Sequence, residues 1–237
     1  MGHKVHPRIH RTNVIYTWDS RWYSKNNYAK YLEQDIRIRE FLQKKFHEAH
    51  IDSIGVERGP KNMTVTVFAA KPGFIIGRGG QGLDDVRKEI ERKFLQMSVK
   101  LKMNIQEVAN PSLSAAVVAQ TIAAEIERRI PFRRLMKQTL ERVMKAGAQG
   151  VKVSIGGRLN GAEIARTEKL LAGKVPLITL RSDVDYCVTA AYTLYGKIGI
   201  KVWIYHGEVF GIKDKFARLS EKNEATKGAT KPEVTKA

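Results

Sequence analysis

Four glycines fall within six residues at Gly77-Arg78-Gly79-Gly80-Gln81-Gly82, and few folds can use such a segment. Glycine loses more backbone freedom than any other residue when a helix or strand forms, so a cluster of them marks positive φ or a close backbone approach. The flanks decide what surrounds it. Upstream, Lys71-Pro72-Gly73 interrupts a β pattern and leaves only Phe74-Ile75-Ile76 before the loop. Downstream, Leu83, Val86, Ile90 and Phe94 recur at helical spacing, with Asp84/Lys88 and Glu89/Lys93 as i,i+4 pairs on the outside. Val99, Leu101, Met103 and Ile105 then alternate with Lys100, Lys102, Asn104 and Gln106, which predicts a strand with one buried and one wet face.

Two loop types share this pattern. Read as G-x-G-x-x-G, the segment would cradle a dinucleotide, which requires a strand running directly into its first glycine within a parallel sheet covered on both faces. The three-residue approach and the lysine-bearing strand argue against that, as do Asp84 and Asp85 in the first turns of the helix that would receive a pyrophosphate. Read as Ile76-Gly77-x-x-Gly80-x-x-Leu83, it is the G-x-x-G loop of an RNA-binding KH domain. The order of elements agrees with the type II KH fold. An amphipathic helix from Tyr28 to about His50 carries Tyr31, Leu32, Ile38, Phe41, Leu42 and Phe46; strands follow at Ile51–Arg58 and Met63–Ala70 around a Gly59-Pro60 turn. The short helix Gly73–Ile76, the loop, the long helix and the last strand complete it. Gly77, Arg78, Gly79 and Gly80 are then the candidate contacts to a nucleic-acid backbone, the helix N-terminus behind them offering N–H groups to phosphate. A plain glycine turn between two helices is the alternative that assigns the loop no ligand.

Asn110-Pro111 has the form of a helix start, with Asn as N-cap and Pro in the first turn, and sets an expected domain boundary. Helices are predicted over Ser112–Arg129 and Phe132–Ala146, then strands over Val151–Ile155, Glu163–Leu171, Asp185–Tyr195 and Ile198–Tyr205. The expected architecture is α+β: a basic N-terminal arm over residues 1–19, a type II KH domain over 20–109, a second α+β domain over 110–212, and a flexible tail over 213–237, where large apolar residues thin out. The arm shows no periodicity and reads as a segment lying on a partner rather than as a core element.

Lys and Arg outnumber Asp and Glu by 42 to 24, a net charge of +18, which seeks a polyanion. The second predicted helix of the pair concentrates that charge. Phe132, Leu135, Met136, Leu140 and Val143 fall on one arc; Arg133, Arg134, Lys137, Arg142 and Lys145 lie outside it with Glu141 as the acid among them. Arg128 and Arg129 extend the cluster, and like charges repel unless something anionic sits opposite, so this face is a candidate RNA contact. No apolar run is long enough for a membrane helix, no polybasic run suggests membrane-surface binding, and no signal segment is evident, so a cytoplasmic chain without a membrane partner is expected. The single Cys187 reads as a small core residue, and the histidines at 3, 6, 10, 47 and 50 lack the companions of a metal site. Catalytic motifs are absent, so neither enzyme activity, a cofactor, a metal nor a small-molecule substrate is expected.

Three separated motifs carry a family resemblance: Met1-Gly2-x-Lys4-Val5-His6-Pro7, the loop at Gly77–Gly80, and Gly157-Arg158-Leu159-x-Gly161-Ala162-Glu163-Ile164-Ala165-Arg166-Thr167-Glu168. Val175-Pro176-Leu177, Asp183-Val184-Asp185-Tyr186 and Tyr195-Gly196-x-Ile198-Gly199-Ile200-Lys201-Val202-Trp203-Ile204 extend it to about residue 212. In these the chain resembles the bacterial family of small-subunit ribosomal protein three, departing from it in Arg8–Trp18. The resemblance implies a structural protein in the head of the small ribosomal subunit that binds rRNA there, contacts mRNA where it enters, and adjoins other small-subunit ribosomal proteins. It implies that Phe132, Arg133, Arg134 and Lys137 match the family's mRNA-contacting pattern, and that Lys4, His6 and Arg8 belong to N-terminal rRNA contacts. A free-standing KH regulator of single-stranded RNA is the alternative from the residues alone.

Overall fold

The computed structural model describes residues 4–59, 62–95 and 99–212. Pro60 of the expected turn, His3, the Met1-Gly2 start and the expected tail lie outside these residues. Helix α1 (Pro7–His10) and strand β1 (Ser20–Arg21) lead into α2 (Tyr28–Lys45), β2 (Ile51–Arg58), β3 (Asn62–Ala69), α3 (Gly73–Ile76), α4 (Gln81–Lys93) and β4 (Lys100–Glu107). These strands form one sheet in the order β1-β2-β3-β4, β2 antiparallel to β3 and β3 parallel to β4. That is the KH topology the sequence predicts. The parallel β3–β4 pair requires a crossover, and α3, the loop and α4 supply it. Ile38 and Leu42 of α2 and Val86 and Ile90 of α4 pack with Val56, Val65, Val67 and Leu101 of the sheet. Lys45 and Lys93 both hydrogen-bond Glu89 and pull its pKa down to about 2, tying α2 to α4 from outside.

The second half places α5 (Ala115–Glu127) and α6 (Phe132–Lys145) on one face of a second sheet, β6-β5-β8-β7, built from β5 (Gly150–Gly157), β6 (Arg166–Gly173), β7 (Ser182–Thr193) and β8 (Gly196–Glu208). Every pairing is antiparallel. Val151, Val153, Ile155, Ile200 and Val202 face the helices and meet Val118, Ile122, Leu135 and Met136 in a continuous core. Cys187 packs at its edge, half-buried.

Three expectations about element ends need correction. Asn110 does not cap a long helix: Pro111–Leu113 is a short 3-10 turn, and α5 begins after Ser114, whose side chain accepts from the Val117 N–H. Ser114 also donates to Asp52 at 2.5 Å, and Gln120 to the Ile51 carbonyl at 2.8 Å, so the true cap joins the two halves. The first helix of the pair ends at Glu127, and Arg129 takes the left-handed turn that commonly falls to glycine. Glu163–Ala165 lie outside β6, because positive φ at Asn160 and Gly161 turns the chain before the strand can start.

The N-terminal segment is also less free than its composition suggests. Ile15 and Arg11 are buried, the latter with no exposed surface. One Arg11 nitrogen donates to the Pro7 carbonyl and the other to the carbonyls of Pro176, Leu177 and Thr179 and to Ser182 Oγ, at 2.9–3.2 Å. Tyr16 hydrogen-bonds Asp183, and burial with that carboxylate pushes its phenol pKa upward. Residues 7–16 are thereby fastened to the second sheet, while β1 adds to the first.

Candidate nucleic-acid interface

The glycine loop divides its residues between packing and exposure. A side chain on Gly77 would meet the Gly82 backbone at 3.2 Å, and one on Gly82 would meet the Ile76 carbonyl at 3.1 Å, so these two let α3 and α4 approach. Gly79 (φ 62°) and Gly80 (φ 80°) face open space, with Gly80 as the left-handed residue that precedes α4. Arg78 is exposed. The loop thus presents unobstructed backbone, one cation and the start of a thirteen-residue helix on the same surface. Phe74, 57% exposed, and Ile76 stand beside it, an apolar flank that the short approach segment conceals because their neighbour Ile75 is buried.

Helix α6 buries Phe132, Leu135, Met136, Thr139, Leu140 and Val143 and leaves Arg133, Arg134, Lys137, Arg142 and Lys145 exposed. Arg128 and Arg129 are exposed at its entrance turn. Charge on this face is not uniform. Arg133 grips Glu168 of β6 through two hydrogen bonds of 3.2 and 3.1 Å, and that carboxylate also lies 3.5 Å from Arg166. The hydrogen bond from Arg133 holds the Glu168 pKa below the ordinary carboxylate range, and Arg133 is raised in return. Among the described residues, Arg128, Arg129, Arg134, Lys137 and Lys145 have no carboxylate partner. Nothing within α6 reveals the Glu168 clamp, since the two residues are 35 positions apart.

The N-terminal residues occupy a different surface. Lys4 is exposed, whereas Arg8 bonds Asp19 at 2.7 Å. His6 sits edge-on to Tyr186, its ring centroid 4.7 Å away, and burial followed by Arg8 lowers its pKa while Asp185 opposes them. A buried network also escaped the sequence reading. Asp35 accepts from Arg58 and Trp22, with Arg58 8% exposed over the Tyr31 ring, so a polar position on α2 fastens that helix to β2. No group of three or more His, Cys, Asp or Glu among the described residues could hold a metal ion.

Comparison with known proteins agrees with both halves. A family model described as KH domain matches residues 37–113, and one described as Ribosomal protein S3, C-terminal domain, matches residues 122–204. A curated relative from Desulfitobacterium hafniense, called small ribosomal subunit protein uS3, is 46% identical over 213 residues, 90% of this chain and 96% of its own length. Relatives with that same name from Pelotomaculum thermopropionicum and Enterococcus faecalis are 50% and 44% identical, covering 88% and 90% of this chain and 90% and 96% of their own lengths.

Proposed function

The chain belongs to the family of small ribosomal subunit protein uS3, and from that premise we propose that it is a structural RNA-binding protein of the small subunit, holding rRNA in the head and touching mRNA at its entrance. It works in the cytoplasmic ribosome beside other small-subunit proteins and carries out no covalent catalysis. The message contact rests on α6: Arg134 and Lys137 are exposed, unpaired among the described residues, and set opposite the apolar stripe that fixes the helix to the sheet. Cations at such positions bind phosphate without disturbing the core. They give affinity without sequence choice, as a channel for every message requires. The loop at Gly77–Gly80 is the second proposed contact, directed at the RNA backbone.

The test is the triple replacement of Arg133, Arg134 and Lys137 by Ala in intact ribosomes. Folding and subunit incorporation should persist, because all three are exposed and Ala favours the helix. Translation through stable mRNA structure should slow more than translation of unstructured message. Equal slowing would exclude a role in separating paired strands, and no slowing would exclude the message contact. Failure of the unsubstituted chain to co-sediment with small subunits would favour a free-standing RNA regulator.

A further inference from the structure

The second sheet has two faces, and α5 and α6 cover only one of them. Register places Lys152, Trp203 and Tyr186 side by side across β5, β8 and β7 on the other face. The Trp203 and Tyr186 rings lie 5.0 Å apart at 33°, and the Lys152 ammonium stands 5.1 Å from the Trp203 ring. The next row carries Lys169, Ser154 and Lys201. In the row beyond, the Thr167 side chain stands over Gly156, while Gly199 leaves the surface low enough for another backbone to come close. Residues 4–10 and 175–179 rise at the side and close a concavity of about 1410 Å³. This exceeds the roughly 300–1,000 Å³ that encloses a small molecule, which suits a segment of polymer.

Charge selects the polymer. Lys4, Lys152, Lys169 and Lys201 all line the concavity, and among the described residues no Asp or Glu does. An ordinary solvent-facing sheet mixes signs across its strands, because like charges set opposite each other destabilise it. Here Lys152 feels burial first, then Lys4 and Lys169, and its pKa is lowered. Adjacent aromatic rings beside unneutralised cations match what unpaired nucleotides offer: flat bases to stack and phosphates to neutralise.

We propose that the face of the second sheet opposite α5 and α6 is a binding platform for unpaired RNA nucleotides, with bases stacking on Trp203 and Tyr186 and phosphates meeting Lys152, Lys169 and Lys201. This rests on the RNA-binding reading above and adds to it a surface separate from α6 and from the glycine loop. Docking of Arg11 builds the platform's wall, since it holds the N-terminal segment that carries Lys4 and His6.

The experiment titrates the full chain with a labelled single-stranded oligouridylate at several salt concentrations. Lys152→Gln, Lys169→Gln and Lys201→Gln together should lower the salt slope by about two, at about 0.7 per phosphate. Between low salt and a fourfold higher concentration, the unsubstituted chain should then lose about twentyfold more affinity than the variant. Trp203→Leu with Tyr186→Leu should weaken binding by about tenfold and leave the slope unchanged, the split expected of stacking as against charge. Photocrosslinking from a bromouridine-containing oligonucleotide should label the peptide bearing Trp203 in the unsubstituted chain. If the aromatic variant fails to fold, the lysine variant and the crosslink still decide the matter. Unchanged affinity and slope in the sheet variants, with binding weakened by Arg134→Ala and Lys137→Ala, would overturn the platform and leave the broader RNA reading intact. Loss of a neighbouring ribosomal protein from subunits carrying the sheet variants, with oligouridylate binding unaffected, would overturn it in favour of a protein occupant. No effect in any variant, the α6 pair included, would count against the RNA reading itself.

Discussion

Replacing Glu168 by Gln should tighten RNA binding, although it removes one of the two oxygens that accept from Arg133 and the charge that holds it. In the native protein Arg133 directs its guanidinium fork at the Glu168 carboxylate, and lowering of the Glu168 pKa keeps that carboxylate charged throughout the physiological range. An arginine so engaged must leave its partner before it can meet phosphate. Its side chain is 71% exposed, so once released it is free to swing outward. Each additional cation that neutralises a phosphate on a single strand steepens the dependence of log affinity on log salt by about 0.7. Across a fourfold change in salt this corresponds to a factor of about 2.6 for one freed arginine. Melting should hardly move, since exposed ion pairs contribute little. Fluorescence anisotropy with a labelled single-stranded RNA reads both affinity and slope, and Arg133→Ala supplies the comparison. That variant should lose clearly less than 0.7 of slope, whereas Arg134→Ala or Lys137→Ala should each lose about the full amount. Weaker binding or a shallower slope in Glu168→Gln would refute the reasoning and show that the carboxylate positions Arg133 for RNA instead of masking it.

Arg11→Ala should destabilise the chain by about 2–4 kcal/mol, because the carbonyls of Pro7 and Leu177 lose their donor and each buried orphan costs about 1–3 kcal/mol, less the relief of an uncharged interior. At roughly 2–4 °C per kcal/mol the melting temperature should fall by about 5–15 °C, and hydrogen exchange should show residues 7–16 opening; a drop under about 1 °C would remove the anchoring role. Arg78→Asp with Gly79→Asp should keep the circular dichroism spectrum, given the open space at Gly79, and lower the melting temperature only slightly through the strain of a side chain at φ 62°, while weakening RNA binding by the full chain; equal affinity at moderate salt would exclude a phosphate contact at the loop. His6 and His50 both have lowered pKa values, burial being the leading cause in each, with Arg8 next for His6 and Lys71 next for His50. Their unfolded forms bind protons more readily, so the stability they confer is complete above about pH 6.5 and is lost as pH falls through that value toward their folded pKa values. Melting temperatures measured from about pH 7 to pH 5 should decline, and the decline should shrink in His6→Gln with His50→Gln; an equal decline in both proteins would assign it to other groups.

The alternation of β4 and the apolar stripe of α6 were legible in the sequence because backbone geometry repeats every two or 3.6 residues whatever the rest of the chain does. The glycine loop was legible for a related reason: positive φ at Gly79 and Gly80 is a local demand that glycine meets. Ends of elements were less so. Ser114 rather than Asn110 begins the helix, and its hydroxyl donates to Asp52 of the distant strand β2, a contact that no local pattern shows. The candidate site divides in the same way. Helical period alone turned Arg133, Arg134 and Lys137 outward, but only the tertiary fold brought Glu168 against Arg133 and left the other two unpaired. Composition marked residues 1–19 as a basic arm, yet Arg11 closes on Ser182 across 171 positions and is buried. The row Lys152, Trp203 and Tyr186 exists only after β5, β8 and β7 pair, since no sequence window contains all three. Local patterns follow from the pitch of the chain. Charge partners and surfaces follow from which distant segments the cores bring together, because Coulomb attraction and ring contact depend on separation in space rather than along the sequence.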